Sequence, residues 1–345
     1  MSTLSRLREH AVNQSLFAPT SLRTALGRLG FVQADPIRSP ARAQDLILRH
    51  RVKNYRVGDL EKRYTALEIE EDNLYAYGFM QRKVWQLLHP RQLGGMTALE
   101  KRVYDAVRNS GEIHPADLEQ HFGRARVVNA WGSYSKATTQ ALDSLQYRGL
   151  LRVARRENGI RIYAPAITFP EAPSSERLTQ LILTVTGLLA PVPLQTLHAT
   201  ITRYRPLGDP REEVQSMIRS GELTEAAMDG LHYVWPTSQH HQEPHLQVRI
   251  LAPFDPIVWD RRRFEHIWGW PYRFEAYTPP AKRVRGYYAM PLLWRDQVIG
   301  WTNASLNERP MSLEFGFVGK KPRDREFRLE LEAEVERFKA FLGSI

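Results

Sequence analysis

Gly149–Pro165 reads GLLRVARRENGIRIYAP, and Gly221–Pro236 reads GELTEAAMDGLHYVWP. Each is a pair of alternating strands around a two-residue turn, Asn158-Gly159 in the first and Asp229-Gly230 in the second. Such dipeptides supply the two positive φ angles of a tight hairpin. The match extends upstream. Thr97–Asn109, Pro115–Phe122 and Ser135–Arg148 have helical spacing, the last with Ala137, Ala141, Leu142 and Leu145 on one face. After the break FPEAPSS, a helix carrying Leu178, Leu181, Ile182, Val185 and Leu189 is followed by VPLQTLHATI and DPREEVQSMIRS. Three helices and a hairpin, twice over, predict two winged-helix units in tandem.

A third copy is predicted at the N-terminal end. Leu22, Leu26 and Leu29 mark a helix that Gly30 closes. Further helices are expected from Ser39 to about Arg51 and from Val57 to Tyr64, then a hairpin turning at Glu71-Asp72-Asn73 and a helix that Pro90 ends. Beyond TSQHHQEPH the pattern changes to strands: LQVRILAPF, VRGYYAMPLLW, QVIGWTNASL and MSLEFGFVG, with Arg295-Asp296 as a tight turn. The chain therefore reads as α+β: three tandem winged-helix units (1–95, 96–170, 171–240), then a small antiparallel β-barrel domain with a C-terminal helix (241–345).

Composition narrows the function. Over 345 residues, 42% hydrophobic and 25% charged content is ordinary for folded protein, while a formal charge of +10 favours a polyanionic partner. Cysteine is absent, which excludes disulfides, thiolate metal sites and cysteine nucleophiles. No apolar run approaches membrane-spanning length and the N-terminus lacks a signal-peptide core, so a cytoplasmic location without membrane contact is expected. His240, His241 and His245 have no carboxylate or cysteine beside them, and no metal is assigned to them.

Residues 1–63 carry twelve Lys/Arg against five Asp/Glu. Within them lies Gln33-Ala34-Asp35-Pro36. In extended backbone Gln33 and Asp35 project to one side while Val32 and Ala34 turn inward, which pairs an amide with a carboxylate. Asp-Pro is also how a helix begins, with Asp as N-cap and Pro at the first helical position; Ser39-Pro40 and Asp255-Pro256 repeat the form. Both readings stay open on the residues alone. Arg42, Arg49 and Arg51 are expected to face phosphate, as are Arg152, Arg155, Arg156 and Arg161 of the second unit's wing. The third unit's wing has Thr224, Glu225 and His232 instead, which suits a structural module. Lys136 joins the DNA-facing cations. Lys282-Arg283-Val284-Arg285 runs into Gly286-Tyr287-Tyr288, a basic, aromatic hairpin that could enter a groove or stack on a base; its tyrosines could equally complete a core.

Taken together, QADPI (33–37), WGSYSKATTQALDSLQYRGLL (131–151) and LAPFDPIVWDRRRFEHIWGWPYRFEAYTPPAKRVRGYYAMPLLW (251–294) resemble the winged-helix DNA glycosylases of the AlkZ and YcaQ type. In that family a Gln-apolar-Gln or Gln-apolar-Asp triplet is catalytic, and Gln33-Ala34-Asp35 looks like the second form. The resemblance implies a monomeric, cofactor-free enzyme that acts on double-stranded DNA and releases N7-alkylated purines, including bulky adducts and interstrand crosslinks. Asp35 would stabilise positive charge on the deoxyribose and accept a proton from the attacking water, which Gln33 orients. The alternative is a non-catalytic winged-helix DNA binder or regulator.

Overall fold

The computed structural model describes residues 3–91, 93–123, 125–128, 134–238, 247–305 and 311–343. His240, His241 and His245 lie outside the described residues. The architecture is mixed α+β, with helices distributed around several small antiparallel sheets.

One order of elements occurs three times. Helix Leu22–Leu29, strand Phe31–Gln33, helices Ala43–Leu48 and Asp59–Lys62, and strands Ile69–Asn73 and Tyr77–Gln81 form the first set. Its first strand returns to pair with its last, Val32 opposite Phe79. The second set runs Ala98–Ser110, Pro115–Phe122, Ala137–Tyr147, then strands Leu151–Glu157 and Ile160–Pro165. There the returning strand is reduced to a bridge between Ile113 and Tyr163. In the third, Ser174–Leu189, Val192–Pro193, Leu194–Ile201 and Pro210–Ser220 precede strands Leu223–Met228 and Leu231–Pro236, and Val192 pairs with Val234. Both tight turns form as expected: Asn158 and Gly159 have φ of 50° and 84°, Asp229 and Gly230 of 48° and 78°.

Local sequence explains most boundaries. Thr97 and Glu100 form a reciprocal capping box at the start of Ala98–Ser110. Asp209 accepts from the Arg211 and Glu212 N–H groups ahead of Pro210. Helix Ser174–Leu189 buries Leu178, Leu181, Ile182, Val185, Leu188 and Leu189. At roughly 1.5–3 kcal/mol for each such side chain, that burial outweighs the weak helix propensity of Ile and Val.

The first set departs from expectation in two places. The helix expected over 39–51 is only Ala43–Leu48, with all six residues buried. The hairpin turns at Leu74–Ala76 rather than at Glu71-Asp72-Asn73, and Glu70, Glu71 and Asp72 sit at 1% exposure in a buried strand. Ion pairs with Arg82, Arg152, Arg156 and Arg91 make that burial tolerable.

The C-terminal sheet is not a barrel. Val248–Ile250, Met290–Trp294, Gln297–Ser305 and Ser312–Phe317 pair in that order as an open four-stranded sheet. The stretch between its first two strands folds instead into helices Pro256–Trp259 and Arg261–Trp268 and an aromatic loop. With only four strands the ends cannot meet, and helix Arg325–Leu342 covers the edge strand Val248–Ile250 through a buried Glu334. Helix Thr3–Ser15, not anticipated in the sequence, packs Leu7, Val12 and Leu16 in one core with Leu251, Ile257 and Phe264, next to the C-terminal sheet.

Candidate functional site

Strand Phe31–Gln33 sets the geometry of Gln33 and Asp35. Phe31 and Val32 are each 1% exposed and Ala34 packs on the core, whereas Gln33 and Asp35 are half-buried. The register places Gln33 opposite Gly78, and the Ala34 N–H donates to the Tyr77 carbonyl at 2.9 Å. A Cβ on Gly78 would lie 2.5 Å from the Phe31 ring and closer still to the Val32 carbonyl. Only glycine admits this approach.

Asp35 caps no helix. Its Oδ1 accepts from the Ile37 N–H at 2.9 Å in a local turn, but the next helix begins at Ala43. Asp255, by contrast, caps Pro256–Trp259, accepts from the Ile257 N–H and is fully buried against Arg51. Of the three Asp-Pro pairs, Asp209-Pro210 and Asp255-Pro256 thus begin helices, and Asp35 is the one that caps none. Partial burial holds its carboxyl above the usual carboxylate range despite the Ile37 hydrogen bond.

Residues remote in sequence complete the site. The charge of Asp35 reaches Tyr288 and Tyr277, whose phenols are pushed up first by burial and then by that carboxylate. Tyr288 is 4% exposed, and its hydroxyl has no hydrogen-bond partner among the described residues. The Gln33 Oε1 atom is likewise buried and unpartnered. Buried polar atoms without a partner are costly unless a substrate or water uses them. The Tyr288 ring stands edge-on to Phe274, which also contacts Phe254 and Tyr277, while Tyr277 itself is 79% exposed.

The segment carrying these tyrosines is an ordered loop rather than a hairpin. The Glu275 carboxylate accepts from the N–H groups of Val284, Arg285 and Gly286 at 2.8–3.2 Å, which holds its pKa below the usual range although burial opposes this. Arg285 lies over the Trp270 and Trp301 rings, and Arg283 donates to the Thr278 carbonyl and covers Tyr287. Lys282, Val284 and Tyr287 remain exposed.

The profile of one protein family, the AlkZ-like DNA glycosylases, matches residues 26–341, from ahead of Gln33 to the C-terminal helix. The chain belongs to the AlkZ-like DNA glycosylase family. DNA is the partner that such a family implies. The matched span of this AlkZ-like chain includes Gln33, Asp35, Glu275, Tyr277 and Tyr288. No solved structure matches the chain. No helix among the described residues is long and apolar enough to cross a membrane.

Several cations expected at phosphate are engaged inside the AlkZ-like fold. Arg49 pairs with Glu334 and donates to the Ile250 carbonyl. Arg51 makes a two-pronged pair with Asp255 at 2.8 and 2.9 Å. Arg156 grips Glu71, and Arg152 lies 3.6 Å from Glu70, so both join the second hairpin to the first. Arg161 holds Asp143 at 2.8 Å. These arginines neutralise buried or adjacent carboxylates, which the sequence had left without partners. Arg42 pairs with Glu61, and both Arg42 and Arg38 sit beside the Asn158-Gly159 turn. Arg155 and Lys136 are on the surface, paired with Glu112, Glu157 and Glu119. Tyr288 lies inside the site rather than on the groove-facing surface. Sequence reasoning missed Tyr277 and Glu275. Tyr277 had a signal, an aromatic placed ten residues before Tyr287 in one loop; Glu275 had none, because its partners are main-chain groups.

Proposed function

We propose that this chain is a monofunctional DNA glycosylase that excises N7-alkylated purines from double-stranded DNA, bulky adducts and interstrand crosslinks included. The observation that carries the reading is Asp35: a half-buried carboxylate that starts no helix, two residues from Gln33 and close enough for its charge to act on the buried Tyr288 phenol. An N7-alkylated purine is already cationic, so its glycosidic bond breaks without a strong general acid. One carboxylate suffices. Asp35 stabilises the developing positive charge on the deoxyribose and takes the proton of the attacking water, and the Gln33 amide orients that water. The step closes with the base released and a hydroxyl on the anomeric carbon.

In this reading the three recurring helix-and-hairpin sets are winged-helix units, bounded near 1–95, 96–170 and 171–240, and the C-terminal part begins near 241. The protein acts as a cytoplasmic monomer. The exposed side chains Arg38, Lys282, Tyr277 and Tyr287 meet the duplex near the site, the cations at phosphate and the aromatics at an unstacked base.

Asp35→Asn tests the proposal. Asn keeps an oxygen for the Ile37 N–H, so the variant should fold normally. Its single-turnover rate on duplex carrying N7-methylguanine should fall on the order of 10²-fold or more, with duplex affinity little changed. Excision at the wild-type rate would remove Asp35 from the chemistry and return the chain to the class of DNA binders.

A further inference from the structure

Arg249 lies in the edge strand Val248–Ile250, opposite Leu293, at 3% exposure. Buried guanidinium groups elsewhere in the fold have strong partners: Arg51 has Asp255, and Arg263 has the carbonyls of Leu189, Pro256 and Ile257. Among the described residues Arg249 has one hydrogen bond, a long one of 3.4 Å to the Gln247 amide oxygen, and no ion pair within 4 Å. Burial, reinforced by the charge of Arg51, drives its pKa down to about 10. A buried cation left this poorly matched is expensive.

Arg249 lines a cavity of about 430 Å³ between the segment after helix Ala43–Leu48, the edge strand and helix Arg325–Leu342. Arg49, Lys53, Arg56 and Arg337 line it too, and Glu334 is its single carboxylate. That carboxylate is already committed to Arg49, Arg337 and the Ile250 N–H. Five cations therefore line one space; Arg49 is held by Glu334 and Arg337 by Glu334 and Glu330, while Arg249, Lys53 and Arg56 have no ion pair among the described residues. Like charges assemble in this way where an anion is to be held, and the planar fork of arginine suits phosphoryl oxygens.

We propose that this cavity is a phosphate-binding site, with Arg249 as its buried anchor and Lys53, Arg56 and Arg337 as its rim. It is separate from Gln33 and Asp35, shares no lining residue with them, and does not depend on the glycosylase reading. The phosphoryl group belongs either to the DNA backbone or to a free phosphorylated small molecule.

Inorganic phosphate is the probe. Added to the full chain at constant ionic strength in place of chloride, it should raise the melting temperature in a saturable manner and give a one-site calorimetric isotherm. Arg249→Met keeps the side chain's length and apolar stem and should weaken phosphate binding at least tenfold. Should that variant fail to fold, Lys53→Ala and Arg337→Ala change the rim of the cavity, and each should weaken binding severalfold. Identical melting in phosphate and chloride would overturn the proposal, as would unchanged binding in the folded variants. Duplex DNA separates the two sources. If phosphate competes with duplex and the variants lose duplex affinity, the DNA backbone supplies the group. If they lose phosphate and keep duplex affinity, a small phosphorylated ligand supplies it.

Discussion

Asp35 and Tyr288 show how two groups with ordinary side chains acquire a role from where they are held. Burial raises the Asp35 pKa, and the reaction proposed needs its carboxylate form. Excision should therefore be constant near neutrality and fall as pH drops through the Asp35 pKa. The midpoint of that fall, read from single-turnover rates, should lie above the ordinary aspartate value near 3.9 and vanish from the profile of Asp35→Asn. Tyr288→Phe deletes a buried hydroxyl that has no hydrogen-bond partner among the described residues. Stability by chemical denaturation should hold or rise slightly, because no hydrogen bond is lost. The single-turnover rate should nevertheless fall about tenfold if the hydroxyl serves water or substrate beside Asp35. A full rate in Tyr288→Phe would make the tyrosine a wall of the site and nothing more.

At the scale of elements, the second hairpin changes meaning once its partners are visible. Its arginines read as a phosphate-binding wing, yet Arg156 is 12% exposed and Glu71 beneath it is fully buried. Arg156→Ala should cost about 3–5 kcal/mol in urea unfolding by stranding Glu71. Arg155→Ala, on a surface-exposed pair, should cost under about 1 kcal/mol. Equal effects of the two would refute the structural assignment. The loop Glu275–Tyr288 depends likewise on one carboxylate. Because the folded-state pKa of Glu275 is depressed, its contribution is complete above the unfolded value near 4.3 and is lost as pH falls through the lower folded value. Glu275→Ala leaves three main-chain N–H groups without their acceptor. It should increase proteolysis within this loop and lower excision together.

Across the whole molecule, the pair of Arg51 and Asp255 joins the first helix-and-hairpin set to the C-terminal part, with neither side chain exposed. Arg51 also donates to the Ser15 carbonyl and hydroxyl, so the N-terminal helix is tied to the same point. Asp255→Ala should destabilise the protein by roughly 3–5 kcal/mol, and combining it with Arg51→Met should restore a large part of that loss. A double mutant as unstable as the sum of both would mean that the two residues do not act as a pair. Duplex affinity, by contrast, rests on the excess of +10 spread over the surface, and log K should fall linearly with log salt.

Periodicity and turn chemistry were enough to place most helices, both tight hairpin turns and the C-terminal strands, because these depend on neighbours within a few residues. Burial of Val32 and partial exposure of Gln33 and Asp35 fit the expected alternation, although Phe31, which strict alternation would put with them, is buried too. What long-range partners decide was not legible. Glu71 and Asp72 read as part of a turn until Arg156 and Arg91 arrived to pair with them in a buried strand. Asp35-Pro36 and Asp255-Pro256 are the same dipeptide, and only the presence of Arg51 against one and of Tyr277 and Tyr288 near the other separates a buried cap from a candidate active site. The sequence determined which groups the chain carries and which local shapes they prefer. The tertiary structure decided which charges are neutralised and which are left available, because burial and pairing depend on residues as many as 288 positions away, as the Arg8–Asp296 pair shows.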